Sequence, residues 1–419
     1  MLFLMRLSWK NLSRYVKRTL ITASAIGFGL GLFLFMDSLL IGAEKDSERN
    51  LVWYETSSIR LYQTDNVAQR DKYNLKHLID HPEPIVTSLR DQGFAVTTRT
   101  AFAAEAILRK DPYPEDGSLL VRVFAIDPEH DTAVYRTGKE VLAGGTWLTP
   151  GGNGAILGAW LAEDIGAEVG YPVTLVTRTK DGAFQTLDVE VVGLINTGNP
   201  LINRTQILID QDFANTHLQL QGSVTQIDIA FSVTADTAVT KAQVLAALPP
   251  NSDKLTALSW RDLAQSFLNL VAAKRSGSSS ILGLVFLIAM VGITNTMMMA
   301  MYERRRELGM MQALGMTPRE IGLTLVFEAG GIGVIGGFLG LIIGGLFVWF
   351  MVAIGIDFSF LLRDMDIGYR ISSVFHGIFR PEMFVVAFFT GILISMVVAL
   401  IPVRQALKLS ITDCLRVDN

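Results

Sequence analysis

The chain has almost no cysteine. Its one thiol, Cys414, lies near the C-terminal end of 419 residues, so no intrachain disulfide can form and each folded part must hold together through its own apolar core. Charge is scarce too: 18% of residues are Asp, Glu, Lys or Arg against 50% apolar, and the mean hydropathy of +0.37 is too high for an ordinary soluble protein of this length. The net charge of −4 offers no excess of cations, and Lys and Arg gather beside apolar runs rather than along a groove, which speaks against nucleic acid as a partner. Enzyme signatures are missing. There is no G-x-x-x-x-G-K-[ST] loop to cradle phosphates, no G-x-S-x-G nucleophile elbow and no H-E-x-x-H. His77 and His81 stand at i, i+4, which could place two imidazoles on one helix face, but Pro82 follows and no third ligand is near, so no metal site is expected. The chain is expected to bind no cofactor and to have no catalytic residues.

What it has in excess is long apolar runs. Segments 20–41, 278–301, 321–354 and 383–403 are almost free of charge, while 42–277 reads as ordinary soluble sequence. The first of them, as a helix, extends about 33 Å and matches the hydrocarbon thickness of a bilayer. A cleaved signal peptide is the alternative there, against which stand the length of the run and the poor cleavage site Ile41-Gly42-Ala43-Glu44. Arg6, Lys10, Arg14, Lys17 and Arg18 precede the first span, Arg304, Arg305, Arg306 and Arg319 separate the second and third, and Arg404, Lys408 and Arg416 follow the fourth. By the positive-inside rule both termini and segment 302–320 are cytoplasmic, and 42–277 and the loop 355–382 are outside. Segment 1–19, with Leu2, Phe3, Met5, Leu7, Leu12, Tyr15, Val16 and Trp9 interleaved with cations, suits an amphipathic helix on the inner leaflet, and 404–419 is a cytoplasmic tail.

Within 42–277 a strand near Ser58, a helix near Glu83 to Gln92 and a strand from Phe94 form one β-α-β pattern, and Thr225 to Val233, Val239 to Leu248 and Lys254 to Leu258 form another. The stretch from about 117 to 221 reads as a β-rich insertion, with Val173 and Leu175, the turn Lys180-Asp181-Gly182, and Leu187, Val189 and Val191 predicting a hairpin. Ile227 and Ile229 alternate with Gln226 and Asp228, which predicts a half-buried strand. The expected fold is therefore an α-helical membrane protein with four transmembrane helices plus a large α/β extracytoplasmic domain, two β-α-β units flanking an inserted β-rich subdomain.

The most specific segment runs from Asn295-Thr296 through Glu303-Arg304-Arg305-Arg306-Glu307-Leu308-Gly309 to Ala313-Leu314-Gly315 and Arg319-Glu320-Ile321. It mixes ordered apolar residues with charge and looks built to dock. Here the chain resembles the MacB/LolC-type, lipoprotein-releasing-like permeases of ABC transporters, and the likeness extends to Glu328, to Pro402-x-Arg404-x-Ala406 and to Ala143-Gly144-Gly145, Ile156-Leu157-Gly158 and Val191-Val192-Gly193. The family often has Gly-Arg at Gly144-Gly145 and Pro near Ile411, where this chain departs.

The resemblance implies a permease of a bacterial inner membrane that works with an ATPase subunit dimer, on which ATP and Mg are bound, and with a second permease chain. Glu303, Arg304, Arg305, Arg306, Glu307, Leu308, Gly309, Ala313 and Gly315 would form the coupling helix against that ATPase; anchoring of topology is the plainer role for the arginines. Thr197 to Arg204 resembles a stretch of the lipoprotein-releasing members, which implies a lipoprotein or other amphiphilic substrate and membrane-lipid contact. A lateral gate of Phe33, Met36, Leu40, Phe267, Val271 and Leu282 follows from apolar character and resemblance together. MacB-like efflux of peptides or drugs, and FtsX-like signalling to a hydrolase, stand as alternatives. Gly336, Gly340 and Gly344 at four-residue spacing, and Gly27 and Gly31, allow close helix packing, and the resemblance places the first span at a dimer interface. Asp37 is expected at the membrane interface, and Glu328, inside the third span, either pairs structurally or acts in function.

Overall fold

The structure is a computed structural model that describes residues 8, 10, 12, 16–108, 117–231, 237–250, 252, 254–357 and 374–407. Along the chain run helix α1 (Val16–Asn50), a π-helical turn (Leu51–Thr56), β1 (Ile59–Gln63), α2 (Glu83–Asp91), β2 (Ala95–Leu108), β3 (Gly117–Ile126), α3 (Asp131–Val134), β4 (Gly154–Gly158), α4 (Ala159–Ile165), β5 (Pro172–Arg178) and β6 (Phe184–Ile195). Then follow α5 (Pro200–Thr205), β7 (Gln206–Asp210), α6 (Gln211–Leu218), β8 (Gln226–Ala230), α7 (Thr237–Ala247), β9 (Leu255–Ser259), α8 (Trp260–Leu263), α9 (Gln265–Glu303), α10 (Arg305–Ala313), α11 (Pro318–Ala353), β10 (Ile356–Asp357), β11 (Val374–Phe375) and α12 (Pro381–Ala406). Two compact units result, a helical one from Met1–Ala43, Val271–Asp357 and Val374–Asn419, and an α/β one from Glu44–Leu270 and Phe358–Ser373.

In the α/β unit nine strands form one sheet in the order β3-β7-β4-β6-β5-β2-β8-β1-β9, and a further pairing of β3 with β2 closes six of them into a ring. The insertion is therefore not a separate sheet: the long strand β2 pairs through Arg99–Leu108 with β3 and through Ala95–Arg99 with β8. Inside the ring the apolar residues recur at every second position, Phe102, Ala104 and Ala106 on β2, Val121, Val123 and Ala125 on β3, and Leu187, Val189 and Val191 on β6, all buried in one cluster. Beyond β2 the antiparallel strands β8, β1 and β9 complete the sheet, with α2 between β1 and β2 along the chain and α7 between β8 and β9. Strand β8 differs from its expected half-burial: Gln226 and Asp228 are as buried as Ile227 and Ile229, because Asp228 is ion-paired to Arg60 on β1, its partner in register. Ser232 and Val233 lie outside the described residues.

Three helices are long and apolar enough to cross a membrane, in segments Thr19–Thr56, Pro318–Ala353 and Pro381–Gln405, among the described residues. The second expected span lies in α9, 39 residues long, many of whose side chains are outside the description. Both α1 and α9 outrun the expected limits at 41 and 278. Hydropathy marks where lipid ends, whereas a helix continues as long as its polar turns are satisfied, and Lys45–Glu48 (3.2 Å) and Asp46–Arg49 (2.8 Å) pair along the last turns of α1. Of segment 1–19, Ser8 donates from Oγ to the Thr324 carbonyl (2.9 Å) and Leu12 is buried in the helical core. Residues 1–7, 9, 11 and 13–15, with Trp9 and Tyr15, the loop 358–373 and the tail from 408, including Cys414, lie outside the described residues.

Glycine decides how the helical unit packs. A Cβ on Gly27 would stand 2.8 Å from Leu339 Cβ, one on Gly31 2.8 Å from Ile343 Cγ2, one on Gly336 2.9 Å from Ile26 Cβ, one on Gly340 2.8 Å from Leu30 Cβ and one on Gly344 2.6 Å from Leu34 Cδ1. The two glycine rows face each other within one chain, so α1 and α11 approach more closely than any larger residue allows. A second row on α11, Gly333 and Gly337, receives Ser395 and Phe388 of α12.

Candidate functional site: the coupling segment

The candidate site is the short helix α10 with the turns on either side. Arg304, between α9 and α10, has φ −103° and ψ 18°, so the helix breaks there and restarts. Its guanidinium turns inward, donating to Glu328 Oε1 (3.0 Å) and Oε2 (3.2 Å) on α11 and to Glu307 Oε2 (3.0 Å) on α10. One buried side chain thus ties both helices at the break. Leu308 and Met311 pack on Met301, Ile321, Leu325 and Val403. What remains outward on α10 is Arg306, Met310 (53% exposed), Ala313 and Leu314 (87% exposed), one face at helical spacing with both charge and apolar surface, with Glu303 exposed just before the break.

The end of α10 is specified as sharply. Gly315 has φ +94°, its N–H donates to Gln312 O (3.0 Å) and the Met316 N–H to Met311 O (3.0 Å), the doubled closure that requires a left-handed residue after a helix. A Cβ there would meet nothing within 4 Å, so Gly315 serves the turn and not close approach. Two residues on, Thr317 and Glu320 exchange hydrogen bonds, Glu320 N–H to Thr317 Oγ1 (3.3 Å) and Thr317 N–H to Glu320 Oε2 (2.8 Å), with Pro318 as the first helical residue of α11. The direction of α11 as it leaves the coupling segment is thereby set within four residues.

Of the nine residues expected at the coupling surface, the structure turns Glu303, Arg306, Ala313 and Gly315 outward, leaves Arg305, Glu307 and Leu308 half-buried and buries Arg304 and Gly309. Met310 belongs on the exposed face and is absent from that set. The expected gate residues differ in exposure. Met36 is exposed (44%), Phe33 and Leu40 are half-buried, Phe267 and Val271 are buried, Phe267 belongs to the α/β unit, and the side chain of Leu282 lies outside the description. At the opposite end of the helical unit Asp37 lies 3.8 Å from Arg380, which also pairs with Glu382 (2.7 Å). His77 and His81 share no helix, since His81 has φ +52°.

A short, tightly capped helix with a charged and apolar outer face thus leads into α11, which is long and apolar enough to cross a membrane. A family model described as FtsX-like permease C-terminal matches residues 279–411, the stretch that holds α10, α11 and α12. The chain therefore carries an FtsX-like permease domain and is homologous to the ABC transporter permeases LolC and MacB. It is 26% identical over 343 residues to the lipoprotein-releasing system transmembrane protein LolC of Neisseria meningitidis serogroup B, covering 75% of this chain and 79% of that protein. To the macrolide export ATP-binding/permease protein MacB of Agrobacterium fabrum it is 29% identical over 140 residues, 33% of this chain and 19% of the relative. The periplasmic region of MacB from Actinobacillus actinomycetemcomitans aligns with a TM-score of 0.35 at 12% identity, over 52% of this chain and 96% of that one.

Proposed function

We propose that this chain is the permease subunit of a transporter that uses ATP hydrolysed by a separate subunit dimer to move its α/β domain and extract lipoproteins or other amphiphiles from the outer leaflet of a bacterial inner membrane. In this reading the chain crosses four times with both termini in the cytoplasm, α9 supplying the second span, and works beside a second permease chain. The ATPase docks on the outward face of α10, where Glu303 and Arg306 flank Met310 and Leu314. Arg304 then serves as a mechanical link, because a push on α10 reaches α11 through Glu328 rather than being absorbed at the break.

The observation that carries the choice of substrate class is the extent of the LolC relation, 79% of that protein's length against 19% of MacB. The test is copurification from membranes followed by assay of the complex in proteoliposomes. Arg306→Glu with Leu314→Asp should abolish ATPase association and ATP-dependent release of a lipidated protein, while the thermal unfolding of the permease stays within a few degrees of wild type. ATPase association unchanged in that double variant would overturn the docking face. ATP-driven release of small amphiphiles with none of lipidated protein would move the assignment to the MacB-like branch.

A further inference from the structure

The α/β unit contains a polar cavity of about 80 Å³ between the closed ring and the β8-β1-β9 layer. A single water needs about 10–15 Å³ by this measure, so the space holds several waters or one small multi-atom group. Its lining is unlike a core. Arg60, Arg99, Arg122, Tyr73, Gln206 and Gln226 all face it.

The cations are not equivalent. Arg60 is neutralised by Asp228, and Arg99 is held by both oxygens of Asp131 at 2.7 and 2.8 Å with its plane 3.3 Å over the Tyr135 ring. Arg122 differs: no described carboxylate lies within ion-pair distance, and it donates only to neutral oxygens, Thr205 Oγ1 (3.1 and 2.7 Å) and Tyr73 Oη (3.1 Å). A guanidinium has five N–H donors, so two remain. Directly opposite in the parallel β3–β7 register stands Gln206, 4% exposed, whose Nε2 is buried with no hydrogen-bond partner among the described residues. A buried amide donor without an acceptor is destabilising, and native chains rarely keep one. Two acids also line the space. Glu55 is engaged through Oε2 by Asn199 (2.8 Å), and Asp71 sits at the rim, its side chain 90% exposed beside Arg70.

Fixed donors without an acceptor and a cation without a counterion call for the same thing. We infer that this cavity binds a small oxyanion, a phosphate group held between the Arg122 guanidinium and the Gln206 amide, with Arg99 and Arg60 set as a neutralised floor. The bidentate fork of Arg suits phosphate oxygens, and burial away from bulk water strengthens the contact. The phosphate could be the free ion or belong to a phospholipid headgroup, and the chemistry on the wall is the same for both. This site is independent of the docking face on α10.

The test uses the full chain in detergent, with thermal unfolding followed against inorganic phosphate, against glycerophosphoethanolamine, and against chloride at matched ionic strength to subtract the general effect of salt. The expected result is a saturable rise in melting temperature with one or both phosphates, half-saturation at least tenfold weaker in Gln206→Leu and in Arg122→Gln. Gln206→Leu without ligand should melt no lower than wild type, since it removes an unpaired donor, and this separates loss of binding from loss of folding. Saturation by the headgroup alone assigns a lipid source, and saturation by phosphate alone a soluble one. A wild-type response no larger than that of Gln206→Leu with either compound would overturn the site.

Discussion

Arg304 is the residue on which the coupling segment turns. Removing one member of a buried ion pair leaves the other charged and unsolvated, at about 3–5 kcal/mol, whereas replacing both by apolar residues of like volume is often neutral. Arg304→Ala should therefore lower the unfolding midpoint in detergent strongly, and Arg304→Met with Glu328→Met should recover most of the loss while uncoupling ATP hydrolysis from release. Arg306→Ala, on the exposed face, should leave the midpoint unchanged. The run Arg304-Arg305-Arg306 reads as one cluster in the sequence, but the break at Arg304 and the step of the helix send its members in different directions. In the α/β unit Asp80 shows a pH effect. It accepts from Ser223 Oγ (2.6 Å) and Lys180 Nζ (3.3 Å), and the Ser223 hydroxyl above all holds its carboxyl below the ordinary value. A depressed folded pKa gives stability that is fully present above the unfolded value near 3.9 and is lost as pH falls through the folded one. Asp80→Asn should be slightly less stable than wild type at pH 7, and chemical denaturation should find the two converging below about pH 4.

At the scale of elements, two glycine rows on α11 set its distances to α1 and α12. Gly340→Leu drives a side chain into Leu30 and should lower the unfolding midpoint by several degrees without preventing membrane insertion. Gly283→Ala, where a Cβ meets nothing within 4 Å, is the matched control and should be silent. Equal effects at the two positions would show that packing in the helical unit is not decided by these contacts. Such rows are legible in sequence because four-residue spacing places residues on one helix face, but which helix fills them is not. Gly27 and Gly31 pack against α11 of the same chain, which the pattern alone leaves open between that and a second copy. The hairpin of β5 and β6 is equally legible, since its alternation and the Asp181-Gly182 turn are local. The buried face of β8 is not, because Asp228 is made tolerable by Arg60, 168 residues away.

For the whole molecule, hydropathy finds three helices long and apolar enough to cross a membrane, among the described residues, while the closure of the ring depends on the parallel pairing of β3 with β7, far apart in the chain, which no local pattern announces. Topology can be checked directly. In a Cys414→Ser background, Leu314→Cys should react with an impermeant maleimide only after the membrane is opened, and Val169→Cys, on the exposed α/β surface, should react in intact cells stripped of their outer layer. The reverse pattern would invert the orientation. The facing glycines also set a timetable for synthesis. At about 5–20 residues per second, the roughly 300 residues between Gly31 and Gly336 take on the order of 15–60 s to emerge. Through that interval the newborn α1 holds its groove against lipid tails, waiting for a partner that the ribosome has not yet made. A bulky residue at Gly31 would cost nothing until the third helix arrives, and the defect would appear as an inserted chain that fails to assemble and is cleared by proteolysis.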